Sequence, residues 1–221
     1  MVVVIVKIDL NLTQKQFDAL LKYVSPEKIS RIRKFHFFRD AQNTLVGDVL
    51  ARMEIGRRTG LSNDQLLFIR SEYGKPFLID KPRVHFNISH TGTYVTCVID
   101  NEPVGIDIEE IKNIDLKIAE RFFAPDEISY ILTGNFDLQI KRFFEVWTMK
   151  ESHIKWEGRG LSKPLPSFSV FSLHDNPKLY YHCVYEDKEV IAYVCTLKRE
   201  APTIKMISIS ELLNYFNIQD K

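Results

Sequence analysis

The sequence predicts an α+β protein of two pseudo-symmetric lobes, each a small β-sheet packed on one long helix, with a pocket where the lobes meet. Three observations predict it. Short segments echo one another at an offset of about one hundred residues. Two long stretches carry apolar residues at helical spacing, and runs rich in β-branched residues flank both.

In chain order, residues 2–10 open with an apolar, β-branched run that reads as a first strand. Ser25-Pro26-Glu27-Lys28-Ile29-Ser30 reads as a helix start, with proline and an acid in the first turn. Leu45, Val49 and Met53 then predict a long helix over 40–59, followed by Gly60-Leu61-Ser62. Strands are expected at 84–89 and 93–99. The junction at 101–104 lacks a Pro, Gly or Ser-rich linker, so lobes of 1–102 and 103–221 are expected to join tightly as one unit. The second half begins with a strand at 103–109 and a second helix start, Ala124-Pro125-Asp126-Glu127-Ile128-Ser129. Phe143, Val146, Trp147 and Ile154 predict its long helix over 139–157, and Gly160-Leu161-Ser162 answers the earlier glycine motif. Strands are expected at 168–173, 180–185 and 190–197, where Tyr193-Val194-Cys195-Thr196-Leu197 echoes Tyr94-Val95-Thr96-Cys97-Val98.

With 221 residues, 45% hydrophobic and 27% charged, the chain can bury one generous core or two small ones, which excludes a disordered or fibrous protein. Thirty basic against twenty-nine acidic residues leave a net charge of +1, so no overall field draws it to nucleic acid or an anionic membrane. The apolar opening run is cut short by Lys7 and Asp9, too brief for a signal peptide or a membrane span. Cys97, Cys183 and Cys195 form no Cys-x-x-Cys pair and read as buried thiols of a cytoplasmic protein. The neutral total hides a polarity. Residues 15–58 hold ten basic against five acidic residues, and 100–137 hold three against ten. An acidic wall able to bind metal, facing a basic wall able to bind anions, suits a polyphosphate ester.

On the strand Val104-Gly105-Ile106-Asp107-Ile108-Glu109-Glu110, alternation sets Asp107 and Glu109 on one face and Ile106 and Ile108 toward the core. The two acids read either as a solvated face or as ligands of a hard cation such as Mg²⁺. Glu151, in Trp147-Thr148-Met149-Lys150-Glu151-Ser152-His153-Ile154-Lys155, is a candidate third acid, and it stacks with Lys155 as a surface pair or as part of the same site. Tyr73-Gly74-Lys75-Pro76 is a turn presenting a lysine and an aromatic. Asn87-Ile88-Ser89-His90-Thr91-Gly92 ends a strand with groups that suit a phosphate. The basic, aromatic stretch 28–39 reads either as a single-stranded nucleic-acid stripe or as an amphipathic segment with core aromatics.

The order of these motifs, closed by Gly158-x-Gly160-Leu161, resembles the 4′-phosphopantetheinyl transferases of the surfactin-synthetase-activating type over about residues 25–168. The resemblance implies an Mg²⁺-dependent enzyme, with Mn²⁺ also suited to oxygen ligands. It would move the phosphopantetheine arm of coenzyme A to a serine of an apo acyl or peptidyl carrier protein, releasing 3′,5′-adenosine bisphosphate, from an active site at the lobe interface. It implies Asp107, Glu109 and Glu151 as metal ligands, Glu151 or a water it orients as the base, and Lys155 as the cation on the pyrophosphate. Ser89 and His90 would contact phosphate, Tyr73, Lys75 and Pro76 would line the adenine side, and Lys28 and Arg31 would hold the 3′-phosphate. Residues 111–124, with Leu116, Phe122 and Phe123, are the expected carrier surface of a monomeric enzyme. In the 40–45 stretch the family offers an arginine toward the 3′-phosphate where this chain has Asn43; either Arg39 substitutes or the grip is looser. The competing readings are a metal-dependent phosphohydrolase using water as acceptor and a nucleotide or nucleic-acid binding module built on 28–39.

Overall fold

The computed structural model describes residues 1–81, 83–160, 163–172 and 178–218. Strand β1 (Val2–Lys7) pairs antiparallel with β5 (Tyr94–Asp100), and β5 with β4 (His85–Thr91). On its other edge β1 takes β9 (Thr203–Ser208) in parallel, giving the order β4-β5-β1-β9. Alternation along β1 divides its side chains between two cores. Val4 and Val6 face the first, under helix α3 (Phe38–Thr59), where Leu45, Val49 and Met53 are fully buried as their spacing requires.

Before α3 come α1 (Gln14–Leu21), closed by a Thr13/Gln16 capping box, and α2 (Pro26–Ile32), whose cap Ser25 accepts from the Lys28 amide. A short hairpin of β2 (Phe68–Arg70) and β3 (Pro76–Leu78) carries the Tyr73-Gly74-Lys75 turn.

Strand β6 (Val104–Glu110) begins after residues 101–103 and pairs with β8 (Val190–Thr196), which pairs with β7 (Tyr180–Glu186). Small helices α4 (Ala119–Phe122) and α5 (Pro125–Ile131) precede α6 (Phe136–Glu157). Phe143, Phe144 and Val146 of α6 pack on Ile191 and Tyr193 of β8. Both long helices run 22 residues and stop at a left-handed glycine, Gly60 at φ 73° and Gly158 at φ 74°. Between the sheets, Val3 and Ile5 meet Ile106, Ile108, Ala192 and Val194.

Beyond residue 202, β9 joins the first sheet, and α7 (Ile209–Tyr215) and its following turn send Leu212, Leu213 and Phe216 into the core under α3. Two expectations are corrected. Residues 168–172 are not a strand. Their apolar spacing serves a segment that wraps a buried ion pair, with the Phe168 carbonyl accepting from Lys150 and the Val170 amide donating to Glu127. Leu173 of that expected strand, and Leu161 and Ser162 of the glycine echo, lie outside the described residues. Cys97 and Cys195 are buried, but Cys183 is exposed because β7 is an edge strand. Among the described residues no helix is long and apolar enough to cross a membrane.

Candidate active site

The carboxylate strand does not show its acids to water as an isolated Asp-x-Glu would. Helix α6 lies across that face of β6, so Asp107 is buried and Glu109 half-buried. The approach is backbone on backbone. A Cβ on Gly105 would stand 2.1 Å from the Ser152 carbonyl and 2.4 Å from the Trp156 amide nitrogen, so no other residue fits there. Glu151 and Lys155, four apart on α6, therefore face the strand.

Asp107 is the hub. Its Oδ1 accepts from Ser89 Oγ at 2.8 Å and from Lys155 Nζ at 2.6 Å, and Lys155 also donates to Ser89 Oγ at 2.8 Å. Its Oδ2 is buried with no hydrogen-bond partner. Glu109 accepts from Trp147 Nε1 at 3.3 Å; burial, and then the Asp107 carboxylate, push its carboxyl up to about 7. Burial and Asp107 also raise Glu151 above the ordinary carboxylate range, against the pull of Lys155. These three acids thus share one field. Among the described residues, however, no three His, Cys, Asp or Glu side chains are arranged to hold a metal ion, and the Lys155 ammonium sits where positive charge is wanted on Asp107. The chemistry of the donor set still fits a hard cation: all-oxygen donors, one buried oxygen unpartnered, and two carboxyls raised first by burial and then by Asp107.

Beside this cluster opens a cleft of about 720 Å³. Lys28 and Arg31, one turn apart on α2, line it with His90 and Pro76, so four of the sequence-derived residues converge. Partial burial, then the Lys155 charge, hold the His90 imidazole below its ordinary pKa. Sequence reasoning missed Thr44, Asp48, Arg52 and Arg70, which line the same cleft. Asp48 accepts from Arg52 Nε at 2.7 Å and pairs with Lys28 Nζ at 3.3 Å. The signal was present as a polar stripe at 44, 48 and 52, beside the apolar stripe that marked the helix.

Other expected residues lie elsewhere. Tyr73 is largely exposed and, like Lys75, is not among the residues lining the cleft. Asn43 is buried and donates to the Gly92 carbonyl at 2.9 Å, so it cannot substitute for an arginine on a phosphate; Thr44 faces the cleft instead. Arg39 is exposed and does not line it. In 111–124, Phe123 is core and Phe122 packs edge-on against Trp147, which leaves Ile118 as the exposed apolar side chain of that stretch. A second cleft of about 730 Å³, floored by Ile111 and Ile140, shares no residue with this site.

Comparison with known proteins bears on most of the chain. A family model described as 4′-phosphopantetheinyl transferase, N-terminal, matches residues 11–102, and one described as the 4′-phosphopantetheinyl transferase superfamily matches 103–202. The chain is 43% identical to 4′-phosphopantetheinyl transferase Sfp of Bacillus subtilis strain 168, over 93% of this chain and 96% of that one. It is 38% identical to 4′-phosphopantetheinyl transferase psf-1 of Bacillus pumilus, over 92% of each, and 35% identical to 4′-phosphopantetheinyl transferase gsp of Aneurinibacillus migulanus, over 94% of this chain and 89% of the relative.

Proposed function

The chain belongs to the 4′-phosphopantetheinyl transferase superfamily, and from that premise we propose how its own residues carry the family reaction. It transfers the 4′-phosphopantetheine arm of coenzyme A to a serine of an apo carrier protein. The serine oxygen forms a new P–O bond, the pyrophosphate P–O bond breaks, and 3′,5′-adenosine bisphosphate leaves. The single observation that carries our assignment of residues is Asp107, buried, bonded to Ser89 and Lys155, with one oxygen unpartnered, next to a basic cleft.

Lys28, Arg31 and His90 bind the phosphates of coenzyme A in the cleft, with Arg52 and Arg70 adding positive field. Pro76 lies against the adenine side. Asp107, Glu109 and Glu151 would hold Mg²⁺, which when bound polarises the attacked phosphorus and offsets pyrophosphate charge. Lys155 meets the charge that grows on the departing oxygens, where a fixed ammonium stabilises the transition state more than the ground state. Ser89 orients both Lys155 and Asp107. Glu151, or a water it orients, takes the serine proton.

The pseudo-symmetry reading is supported by equivalent strand orders, β4-β5-β1 and β7-β8-β6, each with a 22-residue helix ending at a left-handed glycine. On this reading the first lobe supplies the cleft, the second supplies the carboxylates, and 203–218 tie back to the first. The three cysteines are all free, in keeping with an enzyme of the reducing cytoplasm, which we take to act as a monomer.

The test is direct. Incubation with coenzyme A, Mg²⁺ and an apo carrier should raise the carrier's intact mass by one phosphopantetheine group. Coenzyme A cleaved with the carrier unmodified would indicate water as acceptor and overturn the reading.

A further inference from the structure

Lys75 comes from the hairpin turn beside the cleft, yet its side chain runs away from it. Its ammonium donates to the carbonyls of Lys155 at 2.5 Å, Val104 at 3.2 Å and Trp156 at 3.3 Å. An ammonium has three N–H bonds and here meets three carbonyl acceptors, so none is left for a ligand. Two of those carbonyls belong to the last turn of α6, where the helix leaves its C=O groups unpaired and its dipole is negative. The third opens β6, the carboxylate strand. The stem is fixed as well. A Cβ on Gly158 would lie 2.9 Å from Lys75 Cδ, so the glycine that ends α6 also makes room for the lysine to pass. Burial lowers the Lys75 pKa to about 8, while three carbonyl acceptors favour the protonated form.

The backbone that Lys75 grips is that of Lys155, whose own ammonium reaches Ser89 and Asp107. The last turn of α6 is therefore held from two sides: Gly105 lets β6 seat against it, and Lys75 clamps its end. We propose that Lys75 is a positioning residue: it ties the β2–β3 turn to the end of α6 and the start of β6, and so fixes where the Lys155 ammonium meets the reacting phosphate, without its own ammonium contacting coenzyme A. This rests on the transferase reading above, and it changes the part that the Tyr73-Gly74-Lys75-Pro76 motif plays in it.

The test is Lys75→Met, which keeps the stem beside Gly158 and removes the three hydrogen bonds, with Lys75→Arg as the rescue. With coenzyme A, Mg²⁺ and apo carrier, Lys75→Met should lose at least about tenfold in kcat, while KM for coenzyme A changes less than about twofold. Lys75→Arg should recover part of kcat. Amide hydrogen exchange at Trp156, Glu157 and Gly158 should speed up in Lys75→Met with the rest of the protein unchanged, a readout that needs no turnover and also reports whether the variant is folded. A raised KM with kcat intact would mean that Lys75 binds coenzyme A and would overturn the proposal, as would unchanged kcat or unchanged exchange. Wild-type protein that leaves the carrier unmodified would overturn the transferase reading instead, a result distinguishable from any of these.

Discussion

Lys150 and Glu151 are neighbours in the Trp-x-x-Lys-Glu motif, and the structure gives them opposite work. Lys150 is fully buried and donates to Glu127 Oε1 at 2.8 Å, to Oε2 at 2.6 Å and to the Phe168 carbonyl at 2.6 Å, with its charge 4.1 Å from the Phe168 ring centroid. Glu127, also fully buried, takes the Ala124 and Val170 amides at 2.8 Å each. This one pair joins α5, α6 and the 168–170 segment. Lys150→Met preserves volume but leaves a buried carboxylate facing only two amides and a carbonyl with no donor. Removing one partner of a buried pair costs about 3–5 kcal/mol. For a chain of this size each kcal/mol moves Tm by about 2–4 °C, so a fall of roughly 6–20 °C is expected. Urea titration and thermal melting measure it. The double variant Lys150→Met/Glu127→Gln should recover part of the loss, because the stranded charge is gone. In the folded fraction at low temperature, kcat of Lys150→Met should stay within about threefold of wild type. A loss under about 1 kcal/mol, or no recovery in the double variant, would refute the reasoning, and a collapse of kcat in fully folded protein would put Lys150 in the chemistry.

Asp107→Ala should cut carrier modification at least about a hundredfold while circular dichroism stays native, since Ser89 and Lys155 lose their shared acceptor; near wild-type turnover would remove Asp107 from the site. Thr44→Arg places a cation on the cleft wall and should tighten coenzyme A by about 1–3 kcal/mol, measured by calorimetry, but not the analogue lacking the 3′-phosphate. Asn43→Arg should instead destabilise the fold, because that buried side chain anchors Gly92; equal gains from both substitutions would mean that residue 44 does not face the phosphate. His90 is held below its ordinary pKa in the free protein, and a bound phosphate raises it, so binding takes up a proton. Affinity for coenzyme A should be highest below the free pKa and fall as pH rises toward that of the complex; His90→Asn should flatten the profile, and an unflattened one would assign the proton elsewhere.

The helices were legible because their signals are local. Apolar spacing marked α3 and α6, and Pro26 and Pro125 marked the starts of α2 and α5. The order of motifs was enough to recognise the family, but the placement of side chains depended on partners distant in sequence. Alternation put Asp107 and Glu109 on one face, while their burial depends on Gly105 admitting a helix from some fifty residues later. The partners of the Lys75 ammonium were not legible, because nothing nearby in sequence reveals the carbonyls of Lys155 and Trp156. Asn43 and Thr44 differ by one helical step, about 100° of rotation, which decides between a buried anchor and a cleft wall. The 203–208 strand was not foreseen, because its partner is β1, at the opposite end of the chain.

That last pairing bears on synthesis. Val2 lies opposite Thr203 in the parallel ladder, and the Met1 carbonyl accepts from the Thr203 amide at 3.1 Å. A ribosome makes β1 first and β9 about two hundred residues later, so at some 5–20 residues per second the outer edge of β1 waits on the order of ten seconds or more for its neighbour. During that interval an apolar strand with open N–H and C=O groups is a template for any other nascent chain. A gene truncated before β9 leaves that edge open permanently, and aggregation of the fragment during expression is the outcome to look for.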